Sequence, residues 1–183
     1  MTGVQTCALP ISSSTGLASV SVDGATVTYR LTLVLPELPE GPRRLLAAAA
    51  EGDAAAAEQA VEELRRRVAV RSGDAACRPG RATVRGSRLG DGRVDLEMAF
   101  RCEAPPSRLV LRDGWAALFG EHHQTLARVE GPGGPHQLAF SASQPEGASS
   151  ATQLTLDAVS AVWSRASRGP TVTWPDSASI FKT

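Results

Sequence analysis

The sequence predicts an all-β protein, an immunoglobulin-like antiparallel β-sandwich with a helical pair inserted at about residues 42–71. Three observations lead to this fold class. Short runs in which apolar and polar residues alternate recur along the chain, separated by turns rich in Gly and Pro. One longer stretch between them repeats its apolar residues at the period of an α-helix. About seven strands at this spacing are typical of two packed sheets.

The first two runs predict a β-hairpin. The segment LASVSV at 17–22 alternates, and Asp23-Gly24 after it is a strong signal for a tight turn. The next segment, ATVTYRLTLVL, is the clearest strand in the chain because its apolar residues all fall on one face. These residues are Val27, Tyr29, Leu31, Leu33 and Leu35.

A pair of helices is predicted after this hairpin. Pro42 lies near the start of the first helix, and Gly52 follows its end. Asp53 then occupies the N-cap position of a second helix over 54–70. Its apolar stripe is Ala57, Ala60, Val61, Leu64 and Val68. The arginines at 65–67 indicate a solvated helix end, with a patch for an anionic partner as the alternative.

The second half of the chain returns to strands. Strand character resumes after Gly73, and RVDLEMAFRC at 93–102 is the second clear alternating segment. Its shared face consists of Val94, Leu96, Met98, Phe100 and Cys102. Further strands are predicted at 108–114, 124–131, 136–143 and 152–159, with a flexible loop at 144–151. The segment WAALFGEHH at 115–123 fits either a helical turn or a loop.

Composition excludes several classes of protein. Lys+Arg and Asp+Glu are equal at 19 each, so no basic excess indicates binding to nucleic acid. The sequence contains no phosphate-binding loop, no dinucleotide fingerprint, no nucleophile elbow and no H-E-x-x-H zinc motif. We expect a protein that is not an enzyme, has no catalytic residues and carries no cofactor; a hydrolase or metalloenzyme that uses His122 or His123 is the weakest alternative.

Residues 1–11 resemble the translation of a common short-read sequencing adapter. Read in frame from a GTG start codon, that adapter encodes the segment from Met1 to Ile11. We therefore treat residues 1–11 as an artefact and expect the natural N-terminus, with any signal peptide, to be missing. Residues 12–156 then form the predicted sandwich domain.

Setting this segment aside leaves two cysteines, Cys77 and Cys102. An even pair in an extracytoplasmic domain favours a disulfide. A metal site is the alternative, but it would require further ligands near the two thiols, and the sequence has no C-x-x-C motif.

Two adjacent histidines, His122 and His123, are weak candidates for metal ligands. They follow Glu121, and Asp113 lies upstream. On a strand they would point to opposite faces and would rarely share a metal ion, whereas on a loop they could. Ordinary polar loop residues are the alternative interpretation.

Several segments resemble one family when they are taken in order. They are ASVSVDGATVTYRLTLVLPEL at 18–38, Cys77, GRVDLEMAFRC at 92–102 and SRLVLRDGWAALFGEHHQTLARVEG at 107–131. Their order resembles the N-terminal extracytoplasmic region of the HupE/UreJ-like membrane proteins, in which two cysteines and an "LF…H" segment recur. Leu118, Phe119 and His123 match that segment.

The resemblance implies an exported, membrane-anchored ectodomain with an accessory or recognition role. The family is associated with nickel or cobalt uptake, but its His/Asp membrane motif is not in this sequence, so no transport residue carries over. Its partner would be its own membrane domain or another membrane or periplasmic protein. A free-standing secreted ligand-binding or adhesion sandwich is the alternative.

Residues 157–183 are predicted to lead toward the membrane region. This segment contains Trp163, Trp174 and Phe181, which fit either a core or an interfacial belt beside a bilayer.

Overall fold

A computed structural model describes residues 13–87, 91–131 and 134–150. The predictions for residues 1–11, for the strand at 152–159 and for the aromatic residues of 157–183 lie outside the described residues.

The described residues form two β-sheets and a helical layer. The strands are β1 Thr15–Asp23, β2 Thr26–Val34, β3 Val68–Ser72, β4 Ala75–Ala76, β5 Arg78–Gly86, β6 Arg93–Arg101, β7 Arg108–Asp113, β8 Gln124–Gly131, β9 Gly134–Phe140 and β10 Glu146–Ser150. The helices are α1 Glu40–Ala50, α2 Ala54–Arg67 and the single turn α3 Ala116–Phe119. The larger sheet has the order β5-β6-β2-β1-β8-β9, and the smaller has the order β10-β7-β3-β4.

The predicted hairpin is confirmed and forms the centre of the larger sheet. β1 pairs antiparallel with β2 through the Asp23-Gly24 turn, and β6 pairs antiparallel with β2 on the other side. Alternate residues of β2 and β6 are fully buried, as their sequence pattern predicts. One buried apolar cluster joins this inner face to the smaller sheet and to α1 and α2. The molecule is therefore mostly β, with two sheets around one core.

The helical pair is also confirmed, and a side-chain cap explains where α2 begins. The carboxylate of Asp53 accepts a hydrogen bond of 2.9 Å from the backbone N–H of Ala56, which caps α2. The pair packs over the inner face of β5 and β6, where Ala60 and Leu64 are completely buried.

The prediction that the second helix continues to residue 70 is wrong. α2 ends at Arg67, and Val68–Ser72 forms β3, which pairs with β7. Val68 falls four residues after Leu64 and so continues the helical stripe, but Val68 and Val70 are both buried with Ala69 exposed between them. That alternation suits a strand, and β-branched residues favour it.

The predicted loop at 144–151 is also wrong, because Glu146–Ser150 forms β10 and pairs antiparallel with β7. Its sequence EGASS has no large apolar residue, so its strand character comes from backbone pairing and not from the burial of large apolar side chains. The prediction that all strands pair antiparallel is wrong for one pair, because β1 and β8 are parallel neighbours.

Candidate functional site

A buried polar cluster lies where the two sheets meet the α3 turn. It consists of Ser14, Tyr29, Asp113, His123 and Thr125, which come from four separate segments of the chain. Each of these side chains is at most 4% exposed. Buried polar groups are stable only when they are hydrogen-bonded, so the pairing within the cluster decides what it can do.

Asp113, the last residue of β7, is the acceptor at the centre of this cluster. The Tyr29 hydroxyl donates to its Oδ2 at 2.8 Å, and the Thr125 hydroxyl donates to its Oδ1 at 3.2 Å. The backbone N–H of Trp115 also donates to Oδ1, at 3.3 Å. Burial raises the pKa of the Asp113 carboxyl, and these donors oppose that rise. Burial, and then the charge of Asp113, raise the pKa of Tyr29 well above its usual value.

The tautomer of His123 follows from the single hydrogen of the Thr125 hydroxyl. The Thr125 hydroxyl has one hydrogen and donates it to Asp113, so it can only accept from the imidazole Nε2, which lies 3.3 Å away. The neutral ring then carries its proton on Nε2. Its Nδ1 accepts from the Ser14 hydroxyl at 2.7 Å. The hydrogen bonds therefore run in one direction, from Ser14 through His123 and Thr125 to Asp113.

Aromatic rings close one side of the cluster. Trp115 stacks on Phe119 with ring centroids 5.2 Å apart, and Phe119 meets the edge of His123 at 4.8 Å. Burial of the ring lowers the pKa of His123 from 6.5 to about 4. His123 is therefore neutral at neutral pH, as the hydrogen-bond directions require.

We call the five residues of this polar cluster the clamp, because their geometry suits them to hold strands together and not to act as a nucleophilic site. A serine beside a histidine resembles a catalytic pair, but the acid, Asp113, contacts Thr125 and not the imidazole. Ser14 is only 4% exposed, so its hydroxyl has no room for a substrate carbonyl. The cluster instead fixes the start of β1 and the start of β8 to β2 and β7.

The two histidines expected as weak metal candidates point in different directions. His123 is buried in the clamp, whereas the His122 side chain is 53% exposed and lies 3.5 Å from the Glu121 carboxylate. Within the described ranges, no group of three or more His, Cys, Asp or Glu side chains is placed to hold a metal ion. A metal at His122 and His123 stays a prediction.

Cys77 and Cys102 form a disulfide, and Cys102 lies beside the turn between β1 and β2. Cys77 lies between β4 of the smaller sheet and β5 of the larger sheet, and Cys102 follows β6. Their backbone N–H groups donate to Val70 of β3 and to Ala25 in the hairpin turn, respectively. The bond therefore secures the point at which the chain crosses between the sheets. Disulfides of this kind persist in oxidising compartments outside the cytoplasm.

The outer face of the larger sheet carries an apolar row. Leu17 of β1 is 58% exposed, and its register partner Leu126 of β8 is 47% exposed. Leu126 in turn lies opposite Ala139 of β9. A shallow cavity of about 430 Å³ lies over these three residues, which we call the apolar row. Large apolar side chains that are exposed together commonly mark a surface for another molecule.

The sequence predicts some features of the clamp and not others. Its pattern places Tyr29 on the core face of β2, but nothing in the sequence shows that the Tyr29 hydroxyl donates to Asp113, 84 residues later. A usable signal was Thr125, a polar residue at a position in phase with the buried residues Ala127 and Val129 of β8. A polar side chain at a core-phase position requires a buried partner.

No protein-family model matches this sequence, and no curated protein matches it. Among the helices of the described residues, none combines the length and the apolar character needed to cross a bilayer.

Proposed function

We propose that the chain is the exported ectodomain of a HupE/UreJ-like multi-pass membrane protein, with an accessory or recognition role and an immunoglobulin-like sandwich fold. The observation that carries this proposal is the disulfide between Cys77 and Cys102, because a structural disulfide at a sheet crossover suits an exported domain. The assignment to this family comes from the resemblance described above, in which several sequence segments occur in the order typical of the family. Any link to nickel or cobalt handling follows from the resemblance alone.

A binding role fits the described geometry better than catalysis does. The clamp contains the acid and imidazole groups that chemistry would need, but they are buried and occupied by one another. The apolar row, in contrast, is exposed on a sheet face whose neighbouring outward positions are polar, including Ser19, Arg30 and Arg128. A surface of this kind is suited to contact with another protein.

We propose that the protein's own membrane domain contacts the apolar row. A tethered partner is present at a high effective concentration, so even a small apolar contact would be populated. The second candidate is a free-standing secreted sandwich that binds a ligand or another protein. The exposure of Leu17 and Leu126 also fits this candidate, because a soluble adhesion domain needs an apolar contact surface.

An intact copy of the gene distinguishes the two candidates. If the first is correct, several apolar helices of about 20 residues each follow Thr183, and the expressed protein resists extraction from membranes by high salt. A stop codon soon after Thr183, with the product recovered in the soluble exported fraction, would reject the membrane protein.

Cross-linking in that intact protein tests the occupant. A photoreactive amino acid at Leu126 should form a cross-link within the same chain to the membrane domain. The same amino acid at Thr28, an outward position on β2, is the matched control and should not. Equal yields at the two positions would contradict the proposed contact.

A further inference from the structure

A cleft lies at the end of α2 beside the α3 turn, and none of its lining residues belongs to the clamp or to the apolar row. It has a volume of about 340 Å³, which is within the range of small-molecule sites. Its walls come from the last two residues of α2, from β7, from the α3 turn and from the loop between β9 and β10. Gly114, Ala116, Ala117 and Ala142 line part of it, so no bulky side chain fills the space.

Three arginines line this cleft. Arg66 and Arg67 are the end of α2, and Arg112 projects from β7. Arg67 donates from Nη2 to Glu63 at 2.8 Å, and Arg66 donates from Nε to Glu62 at 3.2 Å. Each guanidinium has five N–H donors, so these pairs hold the two side chains in place without using all of their donors.

Arg112 differs from the other two because it forms no ion pair with the acidic residues of the described ranges. Its cross-strand neighbours are Ala69 of β3 and Glu146 of β10, and Glu146 pairs with Arg71 instead. Glu121 is the acidic residue in the lining, and its side chain is 81% exposed. The lining therefore carries three positive groups and one negative group that faces water.

The walls of the cleft are held together before any ligand binds. The backbone N–H of Gly114 donates to the Arg67 carbonyl at 3.0 Å, which joins the end of α2 to the α3 turn. The backbone N–H of Asp113 donates to the Pro145 carbonyl at 2.8 Å, which joins β7 to the loop after β9. A preformed site avoids the entropic cost of ordering its walls on binding.

From this arrangement we infer that the cleft binds a small ligand through an oxyanion group, either a carboxylate or a phosphate, with Arg112 as the main contact. A guanidinium matches both groups because two of its N–H donors can meet two oxygens at once. The small residues of the lining leave room for the rest of the ligand. This inference does not depend on the membrane domain, since every group in it belongs to the described residues.

Titration of the full chain with succinate and with inorganic phosphate tests this inference. Backbone amide shifts are followed by nuclear magnetic resonance at constant ionic strength, and the two anions separate the two kinds of ligand. We expect saturable shifts at residues 114–117 and 141–145 with at least one anion. Arg112→Gln should weaken that binding at least tenfold.

Two further variants complete the experiment. Arg108→Gln removes another exposed arginine of β7 that does not line the cleft, and it should change the affinity by less than twofold. Ala142→Trp places a large ring in the cleft from an exposed loop position and should abolish the shifts without lowering the melting temperature. Shifts that stay linear with both anions, or an affinity that Arg112→Gln leaves unchanged, would overturn the inference.

Discussion

At the scale of single residues, the clamp explains how this protein tolerates ionisable groups in its core. Asp113 receives three donors and His123 has both ring nitrogens occupied, so neither is left without a partner. Networks of this kind are stable while every member is satisfied and become costly when one member changes charge.

His123 should make the protein sensitive to mild acid. In the unfolded chain the imidazole takes up a proton near pH 6.5, whereas in the folded protein it does so only near pH 4. The unfolded state therefore binds more protons at this residue between these values, and the contribution of His123 to the free energy of unfolding must fall as the pH falls from 6.5 to 4. The loss is at most about 3 kcal/mol.

Chemical denaturation across that pH range measures this loss. Asp113 contributes with the opposite sign, because its raised pKa favours the folded state at low pH, so variants must be compared with the wild type. His123→Gln should flatten the profile between pH 6.5 and pH 4, and the exposed neighbour His122→Gln should leave it unchanged. Parallel profiles for the wild type and His123→Gln would contradict the account.

At the scale of elements, burial determines which strands the sequence reveals. β2 and β6 alternate clearly because each packs one face on the core and exposes the other. The sequence alone places Val68–Ser72 in the preceding helix, because Leu64 and Val68 are spaced as in a helix. It places Glu146–Ser150 in a loop, because these residues are small and polar. Pairing with β7 determines both strands, and a single sequence does not display that pairing.

The clamp was predicted less completely than the strands. The sequence indicates His123 and Asp113 as polar residues in one region of the chain. It does not indicate Ser14, which hydrogen-bonds His123 across 109 residues. Contacts over such distances depend on the parallel pairing of β1 with β8, which places Thr15 opposite Gln124. Residue types alone do not reveal a strand order of this kind.

Gly16 illustrates how closely β1 approaches the clamp. A Cβ atom there would lie 2.9 Å from Leu31 Cδ1 and 3.4 Å from His123 Nε2. Because Leu31 is fully buried and cannot move freely, Gly16→Ala should lower the free energy of unfolding by about 1–3 kcal/mol.

A second glycine supplies the control for that substitution. Gly41, in the first turn of α1, has open space around the position of a Cβ atom, so Gly41→Ala should be neutral or stabilise the protein by up to about 1 kcal/mol. Urea unfolding of the two variants checks the pair. Equal effects of the two substitutions would show that packing against the clamp is unimportant.

At the scale of the whole molecule, the disulfide joins the two sheets at their crossover. It closes a loop with a sequence separation of 25, which corresponds to a stabilisation of roughly 3–4 kcal/mol in the chain-entropy treatment. Cys77→Ser with Cys102→Ser should therefore lower the free energy of unfolding by about that amount while leaving the strand content unchanged. A double variant as stable as the oxidised wild type would show that the crossover needs no covalent link.

A count of free thiols tests most directly whether a disulfide joins the two sheets of this sandwich. The Cys7→Ser variant should be fused to an export signal, purified without reductant, denatured and titrated with a thiol reagent. The account predicts no free thiol, because Cys77 and Cys102 are joined. Two free thiols per chain would contradict it.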